Sequence, residues 1–359
     1  MDYAGIGSLH CAEKTGTRNV VWPAGQKAME TKSVKVSIII PVYNVAPYIG
    51  ECLLSVMQQS YKGDVECILV DDCGLDESIV IAEQMIAEYD GSILFKILHH
   101  ERNRGLSAAR NTGTHEATGD YLYYLDSDDK ITDDCIEKLV LRAIEDPDIE
   151  MVQGSVCRHQ MNGESVVSPK KISLPIASNH EEIRNCFYQY GQIYVNVWNK
   201  LLERRVIIEN NILCKEGLLY EDNLWIFYLL KYVKKAAFVA DVTCHHKKRL
   251  QSITTSTDEK TRVYHFSIIY RDIMNNLTPR YEQQECKYYA SDIARVHVRY
   301  VRIVPEYKEV LRLCQEKCKQ YGSRNSLMKL AVSSVLGKYR YGYTVWRCLM
   351  RARRTMMRH

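Results

Sequence analysis

Three aspartates stand close together directly after an apolar segment of the sequence. Residues 122–130 read LYYLDSDDK, so Asp126, Asp128 and Asp129 follow a run that is typical of a buried strand. Carboxylates gathered in this way raise one another's pKa unless a cation offsets their charge. A hard divalent ion such as Mg²⁺ or Mn²⁺ prefers oxygen ligands, including those of a diphosphate. The pattern therefore favours a site for a metal ion and a diphosphate over the solvated turn that an isolated Asp-x-Asp indicates.

Polar residues also follow two other apolar runs. VSIIIPV is followed by Tyr43 and Asn44, and VECILVDD ends in Asp71 and Asp72. In open parallel sheets, ligands bind at the carboxyl ends of the strands. We therefore expect Asp72 to face the same pocket as the three aspartates. The alternative for this pair is a turn in which one carboxylate caps the next helix.

The elements that would position these residues alternate between strand and helix. Strands are predicted over 36–42, 65–72, 93–98, 120–125 and 149–156, and helices over 47–59, 76–89, 106–117 and 132–145. Strand–helix repetition with short connections predicts a doubly wound, mostly parallel α/β sheet. Further helices are predicted over 180–190 and 222–234, and the chain reads as almost wholly helical from about 258 onward.

This pattern divides the chain into three expected segments. Residues 1–33 show no sustained periodicity, and Met29 lies just before the first strand, so this segment is either a disordered arm or the product of a start site placed too early. Residues 34–255 are expected to form the α/β domain. Residues 256–359 are expected to form a helical C-terminal region with a basic amphipathic tail.

The composition is that of a soluble globular protein, with 359 residues, 46% hydrophobic and 26% charged. No apolar run is long enough to span a membrane, and the N-terminus lacks a secretory signal pattern. The 13 cysteines are scattered and include no CxxC pair. We expect a cytoplasmic protein with reduced, mostly buried thiols, with a zinc site as a minor alternative.

The net charge of +4 is unevenly distributed, because no acidic residue follows Glu316. Residues 327–359 mix large apolar side chains with arginines, which is typical of an amphipathic helix on an anionic bilayer. The alternatives are a helix that packs on the rest of the protein, or a contact between copies of an oligomer. No nucleic-acid partner is expected, because no recognisable binding module is present.

Six segments in order carry a resemblance to a known family. They are VSIIIPVYN (36–44), LVDDCGLDES (69–78), NRGLSAARNTG (103–113), YYLDSDD (123–129), VWNKL (197–201) and EGLLYEDNLWIF (216–227). Over residues 36–255 the chain resembles family 2 glycosyltransferases of the GT-A fold, which are inverting enzymes that use nucleotide sugars. The resemblance implies transfer of a sugar from a donor, expected to be UDP-linked, to a glycan or lipid-linked acceptor in cell-surface polysaccharide synthesis.

The resemblance implies roles for residues on the donor side. Pro41, Tyr43 and Asn44 would line the nucleotide pocket, with Tyr43 near the base. Asp72 would accept hydrogen bonds from the base or the ribose, and Arg104 would lie beside the nucleotide. The family usually has glycine and serine directly after the Asp72 pair, where this chain has cysteine and glycine, so the detail of that loop stays open.

The three aspartates match the family's Asp-x-Asp motif. Asp128 is expected to contact Mn²⁺ or Mg²⁺, Asp126 to reach the metal or the ribose, and Asp129 to orient the donor sugar or cap the next helix. The metal would offset the charge of the departing diphosphate. His246 and Arg249, with Ser252, would contact the diphosphate, although HHKKRL also fits a solvated loop.

An inverting transfer needs a base for the acceptor hydroxyl. Asp222 occupies the family's base position, with Glu221 as the second candidate; acidic residues there also favour a helix start for electrostatic reasons alone. Trp198, Asn199 and Lys200 would shape the sugar and acceptor pocket, although Trp198 fits a core residue equally well. Arg110 and Asn111 are as consistent with holding a helix on the sheet as with binding.

Two other functions remain open from the sequence. One is a catalytically inactive scaffold that binds nucleotide sugars, and the presence of Asp128 and Asp222 argues against it. The other is a sugar-nucleotide pyrophosphorylase, but PVYNVAPY lacks the GxGxR loop that such enzymes carry after the first strand. P-loop phosphate chemistry is disfavoured because no GxxxxGK[ST] motif occurs.

Overall fold

The structure is a computed structural model that describes residues 34–249, 256–321, 324–338 and 342–356. The predicted N-terminal arm, with its alternative start at Met29, lies outside these residues, as does Ser252. The strands are β1 (Val36–Val42), β2 (Val65–Asp71), β3 (Leu94–His99), β4 (Tyr121–Tyr124), β5 (Lys130–Ile131), β6 (Met151–His159), β7 (Ser165–Ser168), β8 (Ile176–Ala177), β9 (Lys200–Glu203) and β10 (Ala236–Lys247).

The helices occupy both the α/β part and the C-terminal part of the chain. They are α1 (Ala46–Met57), α2 (Ser78–Ala87), α3 (Leu106–Glu116), α4 (Cys135–Ile144), α5 (His180–Tyr188), α6 (Arg204–Glu209), α7 (Asp222–Tyr232), α8 (Glu259–Asn275), α9 (Glu282–Tyr300), α10 (Tyr307–Gln320), α11 (Arg324–Leu336) and α12 (Gly342–Met356). The local sequence explains where two of these helices begin. Pro47 lies in the first turn of α1, and the Asp258 carboxylate caps α8 by accepting hydrogen bonds from two backbone N–H groups.

The described strands form one sheet in the order β3-β2-β1-β4-β9-β6-β10-β5, with β7 beside β6 and β8 beside β10. β3, β2, β1 and β4 are parallel, whereas β9 is antiparallel to both of its neighbours. β1 lies between β2 and β4, so the loops that follow β2 and β4 emerge at the same edge of the sheet. The predicted α/β class is confirmed.

Five of the described strands, β5, β7, β8, β9 and β10, were not predicted from the sequence, and β5, β7 and β8 are only two to four residues long. β9 is only four residues long and runs directly into α6, so it carries too few alternating positions to be read as a strand. β10 is twelve residues long, but its register against β6 shifts between Val239 and Val242 and again before Cys244. Such irregularities interrupt the alternation of side chains that identifies a strand in a sequence.

Two apolar cores are present in the described part of the chain. The first surrounds the sheet, and the second lies among the C-terminal helices around Ile269, Ile293 and Leu330. Helix α7 contributes to both, with Trp225 in the first core and Phe227 in the second. It is apolar on nearly all sides, as expected of a buried helix, and its first residues lie in the candidate site.

The predicted basic tail corresponds in part to α11 and α12. Leu330 and Trp346 are buried in the second core, so these helices pack on the protein. Met328 and Val335 of α11 are about half exposed, at 52% and 55%. Among the described helices, none combines the length and apolar character needed to cross a bilayer. The twelve described cysteines form no disulfide, and most are buried.

Candidate active site

The three aspartates after β4 come together in a tight turn. The backbone N–H of Asp129 donates to the carbonyl of Asp126 over 3.0 Å, which closes the turn. One carboxylate oxygen from each of Asp126, Asp128 and Asp129 lies within 4.8 Å of the other two. An all-oxygen set of this kind fits Mg²⁺ or Mn²⁺.

Each of these carboxylates is also paired with a basic side chain. The pairs are Arg110 Nη2 with Asp126 Oδ1 at 2.6 Å, Arg249 Nε with Asp128 Oδ2 at 2.5 Å, and His246 Nδ1 with Asp129 Oδ1 at 2.9 Å. Part of the charge compensation that the sequence led us to expect from a metal ion therefore comes from the protein itself. Asp126 and Asp128 retain access to solvent, with side chains 25% and 16% exposed.

Asp129 differs from the other two because its side chain is fully buried. Burial raises the pKa of the Asp129 carboxyl to about 7, although the hydrogen bond from His246 opposes the shift. Burial alone would lower the pKa of His246, but the bond to Asp129 and the nearby carboxylates raise it. The Trp198 ring stacks on the imidazole with 5.3 Å between ring centroids. Asp129 thus orients His246, and Asp126 and Asp128 are the accessible oxygen donors.

Arg110 connects the aspartate cluster to the predicted base region. This α3 side chain is only 3% exposed, and its second guanidinium nitrogen, Nη1, lies 2.5 Å from Glu221 Oε1. Burial alone would lower the pKa of the guanidinium, but Asp126 and Glu221 raise it above its usual value. Sequence reasoning left Arg110 open between packing and binding. The available signal was an arginine within the small-residue segment LSAARNTG, on a helix expected to pack against the sheet.

Glu221 and Asp222 lie where the chain enters α7. Tyr220 adopts a left-handed conformation with φ 62°, which turns the backbone directly before this pair. The Asp222 carboxylate is half-buried and accepts a hydrogen bond from Asn223 Nδ2 over 2.9 Å. Burial raises the pKa of both carboxyls, and Arg110 offsets the shift only in part. Glu221 is engaged by Arg110, so Asp222 is the more available proton acceptor.

The loops after β1 and β2 contact each other directly. Asn44, with φ 50°, accepts a hydrogen bond from the Leu75 backbone through its side-chain oxygen over 2.7 Å. Tyr43 is 44% exposed and is available to a ligand. Pro41 lies inside β1, where it is buried and pairs with Val70. Its predicted place in a pocket wall stays a prediction.

The Asp72 carboxylate is engaged within the protein. It accepts hydrogen bonds from the backbone N–H groups of Arg104 and Gly105 at 2.8 and 2.7 Å, and His100 Nδ1 lies 2.7 Å from it. Asp72 is 2% exposed, so it holds the start of α3 and does not belong to the group formed by the other three carboxylates. Its contact with a base or ribose stays a prediction. The Arg104 guanidinium lies 3.3 Å from Glu216 at an exposed position.

Asn199 and Lys200 are completely buried. The Asn199 side chain contacts the Tyr123 hydroxyl at 3.1 Å and the Thr243 hydroxyl at 2.8 Å, which joins β4 to β10. Lys200 donates to the carbonyl of Asn196, and burial lowers the pKa of its ammonium group to about 7. In this structure the Asn199 side chain connects two strands and the Lys200 side chain contacts the loop before β9, and the predicted contact of both residues with a sugar stays a prediction.

A cavity of about 790 Å³ lies between α7 and the C-terminal helices. Its lining includes Asn223, whose side chain donates to Asp222. Four tyrosines and four basic side chains contribute to the remaining wall, among them Tyr288, Lys287 and Arg347. The cavity therefore offers aromatic surface and positive charge next to a carboxylate with a raised pKa.

Comparison with known proteins shows that the chain is similar to glycosyltransferases. The family model described as "Glycosyl transferase family 2" matches residues 37–209. A cholesterol galactosyltransferase of Borreliella burgdorferi is 29% identical over an alignment of 259 residues that covers 68% of this chain and 68% of the relative. For five other curated glycosyltransferases the chain spans between 15% and 65% of their length.

Two solved structures resemble this one in fold. Residues 1–349 of TarS from S. aureus, in complex with UDP-GlcNAc, superpose with a TM-score of 0.66 at 19% identity, covering 87% of this chain and 91% of that one. A mannosyltransferase from Pyrobaculum calidifontis, in complex with GDP-Man and Mn²⁺, gives a TM-score of 0.53 at 17% identity, with 88% and 84% covered. These likenesses confirm the predicted GT-A fold.

Proposed function

The chain belongs to glycosyl transferase family 2 and is a glycosyltransferase that uses a nucleotide sugar, and from this we propose that it transfers a sugar from a UDP-linked donor, with inversion, to a glycan or lipid-linked acceptor. The observation that carries the proposal is the bridge made by Arg110, which contacts Asp126 at 2.6 Å and Glu221 at 2.5 Å. Arg110 therefore links the carboxylates that suit a metal ion with the region of the proposed base.

On the donor side, Asp126 and Asp128 supply the carboxylate oxygens for Mg²⁺ or Mn²⁺. When bound, such an ion offsets the negative charge that develops on the leaving diphosphate. We assign Arg249 and His246 to the diphosphate, because Arg249 contacts Asp128 directly and His246 contacts Asp129. Exposed Tyr43 is assigned to the nucleotide base.

On the acceptor side, Asp222 removes the proton from the attacking hydroxyl. That oxygen forms a bond to the sugar C1 as the bond between C1 and the diphosphate oxygen breaks on the opposite face. A carboxylate with a raised pKa holds the proton more firmly, which suits a general base. The cavity beside Asn223 lies next to this carboxylate, and its aromatic and basic lining fits a sugar-bearing acceptor with an anionic linkage.

Asp128→Asn is expected to weaken UDP binding in the presence of Mn²⁺ by at least about tenfold, the range seen when groups around a metal are lost. Binding without metal should change little, since the side chain keeps its size. Titration calorimetry of UDP with and without Mn²⁺ measures both. Asp241→Asn, at an exposed position in the middle of β10, is the matched control. Equal affinities for the variant and the unmodified protein with Mn²⁺ would contradict the metal assignment.

The reaction itself is tested by nucleotide release from a set of UDP- and GDP-sugars, with and without Mn²⁺. Release from a UDP-sugar that increases with an added acceptor supports the proposal. Tight nucleotide binding without turnover on any donor would instead favour the inactive scaffold.

We also propose that the protein contacts the anionic inner face of a membrane through its C-terminal helices. Basic residues Arg324 and Lys338 are exposed, as are the apolar side chains of Met328 and Val335. The double variant Arg324→Glu/Lys338→Glu should therefore float less with vesicles that contain anionic lipid. Lys62→Glu/Lys260→Glu makes the same charge change at exposed positions elsewhere and should float normally. Equal flotation of both variants would refute the contact.

A further inference from the structure

A second group of possible metal ligands lies away from the acidic cluster. Cys157 and His159 are two residues apart on β6, so their side chains point to the same face of the sheet. β6 and β10 are parallel, and His245 lies opposite Cys157 in the register. His246, the next residue, points to the other face and contacts Asp129.

The side chains of this group converge. One ligand atom from each of Cys157, His159 and His245 lies within 4.8 Å of the other two. The imidazole rings are stacked with an interplanar angle of 18°, and His159 Nε2 lies 3.0 Å from His245 Nδ1. The other ring nitrogen of His159, Nδ1, lies 2.9 Å from the Ser165 hydroxyl on β7.

The Ser165 contact is what a ligating histidine needs. A hydrogen bond at one ring nitrogen selects the tautomer and leaves the lone pair of the other nitrogen for a metal. With Nδ1 of His159 held by Ser165, Nε2 is directed towards His245. Two ring nitrogens that face each other at hydrogen-bond distance share one proton, and a cation can replace that proton.

We propose that Cys157, His159 and His245 bind one Zn²⁺ ion. A thiolate and two imidazoles form a borderline-soft ligand set that suits zinc, unlike the carboxylates that suit Mg²⁺ and Mn²⁺. Tetrahedral zinc with bonds of about 2.0–2.1 Å to nitrogen and about 2.3 Å to sulfur separates two nitrogens by about 3.3 Å and nitrogen from sulfur by about 3.6 Å. The observed 3.0 Å between ring nitrogens needs only a small adjustment.

The ion has a structural role. It joins β6 to β10 at the end of β10, directly before His246 and four residues before Arg249. These two side chains contact Asp129 and Asp128. Three protein ligands would leave the fourth zinc position open to water, and the half-buried histidines leave the site accessible to solvent.

The test uses the full chain without a histidine tag. Zinc content is measured by mass spectrometry, and the zinc is then exchanged for Co²⁺, which gives a near-ultraviolet thiolate charge-transfer band and intense visible bands when tetrahedral. We expect about one zinc per chain, a thiolate band in the unmodified protein, and no band in Cys157→Ser. Ser165→Ala should keep the band but lower zinc affinity about ten- to a hundredfold.

Two controls separate this site from other binding. Cys348→Ser removes an exposed cysteine and should keep both zinc and the band. Asp128→Asn alters the acidic cluster and should also keep them. The proposal is overturned if the cobalt protein lacks a thiolate band, if Cys157→Ser retains it, or if zinc is lost with Asp128→Asn and not with Cys157→Ser. If Cys157→Ser does not fold, unchanged zinc affinity in Ser165→Ala overturns the proposal.

Discussion

Asp222→Asn is expected to reduce turnover about a hundredfold to ten-thousandfold, which is the usual contribution of a general base. The amide has nearly the same shape and can still accept the hydrogen bond from Asn223. It cannot take a proton from the acceptor hydroxyl. Nucleotide binding should therefore stay close to that of the unmodified enzyme, so the loss lies in kcat.

The measurement is the rate of glycoside formation at saturating donor and acceptor, together with calorimetric binding of UDP and Mn²⁺. Glu209→Gln removes one carboxylate at an exposed position on α6 and should retain full activity. Retention of full transfer by Asp222→Asn would show that Asp222 is not the base. Glu221, whose carboxylate contacts Arg110, would then be the next candidate.

The pH dependence of transfer gives an independent check on the same residue. A base acts in its deprotonated form, so activity falls as the pH drops through its pKa. Burial raises the pKa of Asp222, and this moves the acidic limb of the profile to higher pH than for an ordinary aspartate. The residual activity of Asp222→Asn should lack that limb.

Arg110→Met is expected to lower the free energy of unfolding by about 3–5 kcal/mol, because it removes one partner from a buried ionic group. The guanidinium is 3% exposed and lies between Asp126 and Glu221, which would lose their common counter-charge. Methionine fills much of the same volume, so a cavity contributes little to the loss. Chemical denaturation monitored by tryptophan fluorescence gives the free energy.

The double variant Arg110→Met/Glu221→Gln identifies the cause of this loss. Glu221 is 6% exposed, so its neutralisation removes one of the unpaired buried charges and should restore part of the stability. Arg205→Met is the control, since Arg205 forms its ion pairs at an exposed position, and it should change stability little. If the double variant is no more stable than Arg110→Met, the loss does not come from the uncompensated carboxylate.

The sequence was sufficient to predict the α/β fold and the closeness of Asp126, Asp128 and Asp129. Both rest on local rules: apolar runs of strand length predict strands, and residues within one short turn stay together. The shared edge of β2 and β4 could likewise be inferred from the parallel topology. The side-chain contacts that these residues make at that edge could not be inferred from the sequence.

The missing part consists of contacts between segments distant in the sequence. Arg110 meets Glu221 across 111 positions, and no periodic pattern reports such a pair. The engagement of Asp72 by the backbone at Gly105 depends on how the loop after β3 returns to the sheet. Burial of Asn199 and Lys200 depends on β9, which is too short to predict. In each case tertiary packing decided the outcome.

Helix α3 connects the aspartate cluster with the Glu221–Asp222 region of the candidate site. Its eleven residues form a rod about 16 Å long. Asp72 holds the segment that begins it, and Arg110 along its length aligns the carboxylates of Asp126 and Glu221. Because a helix resists compression along its axis, a shift of the segment at Arg104 and Gly105, directly before α3, is expected to displace Arg110 as well. Under the proposed function, substitutions within residues 100–105 that change donor preference are therefore also expected to affect the neighbouring Glu221–Asp222 region.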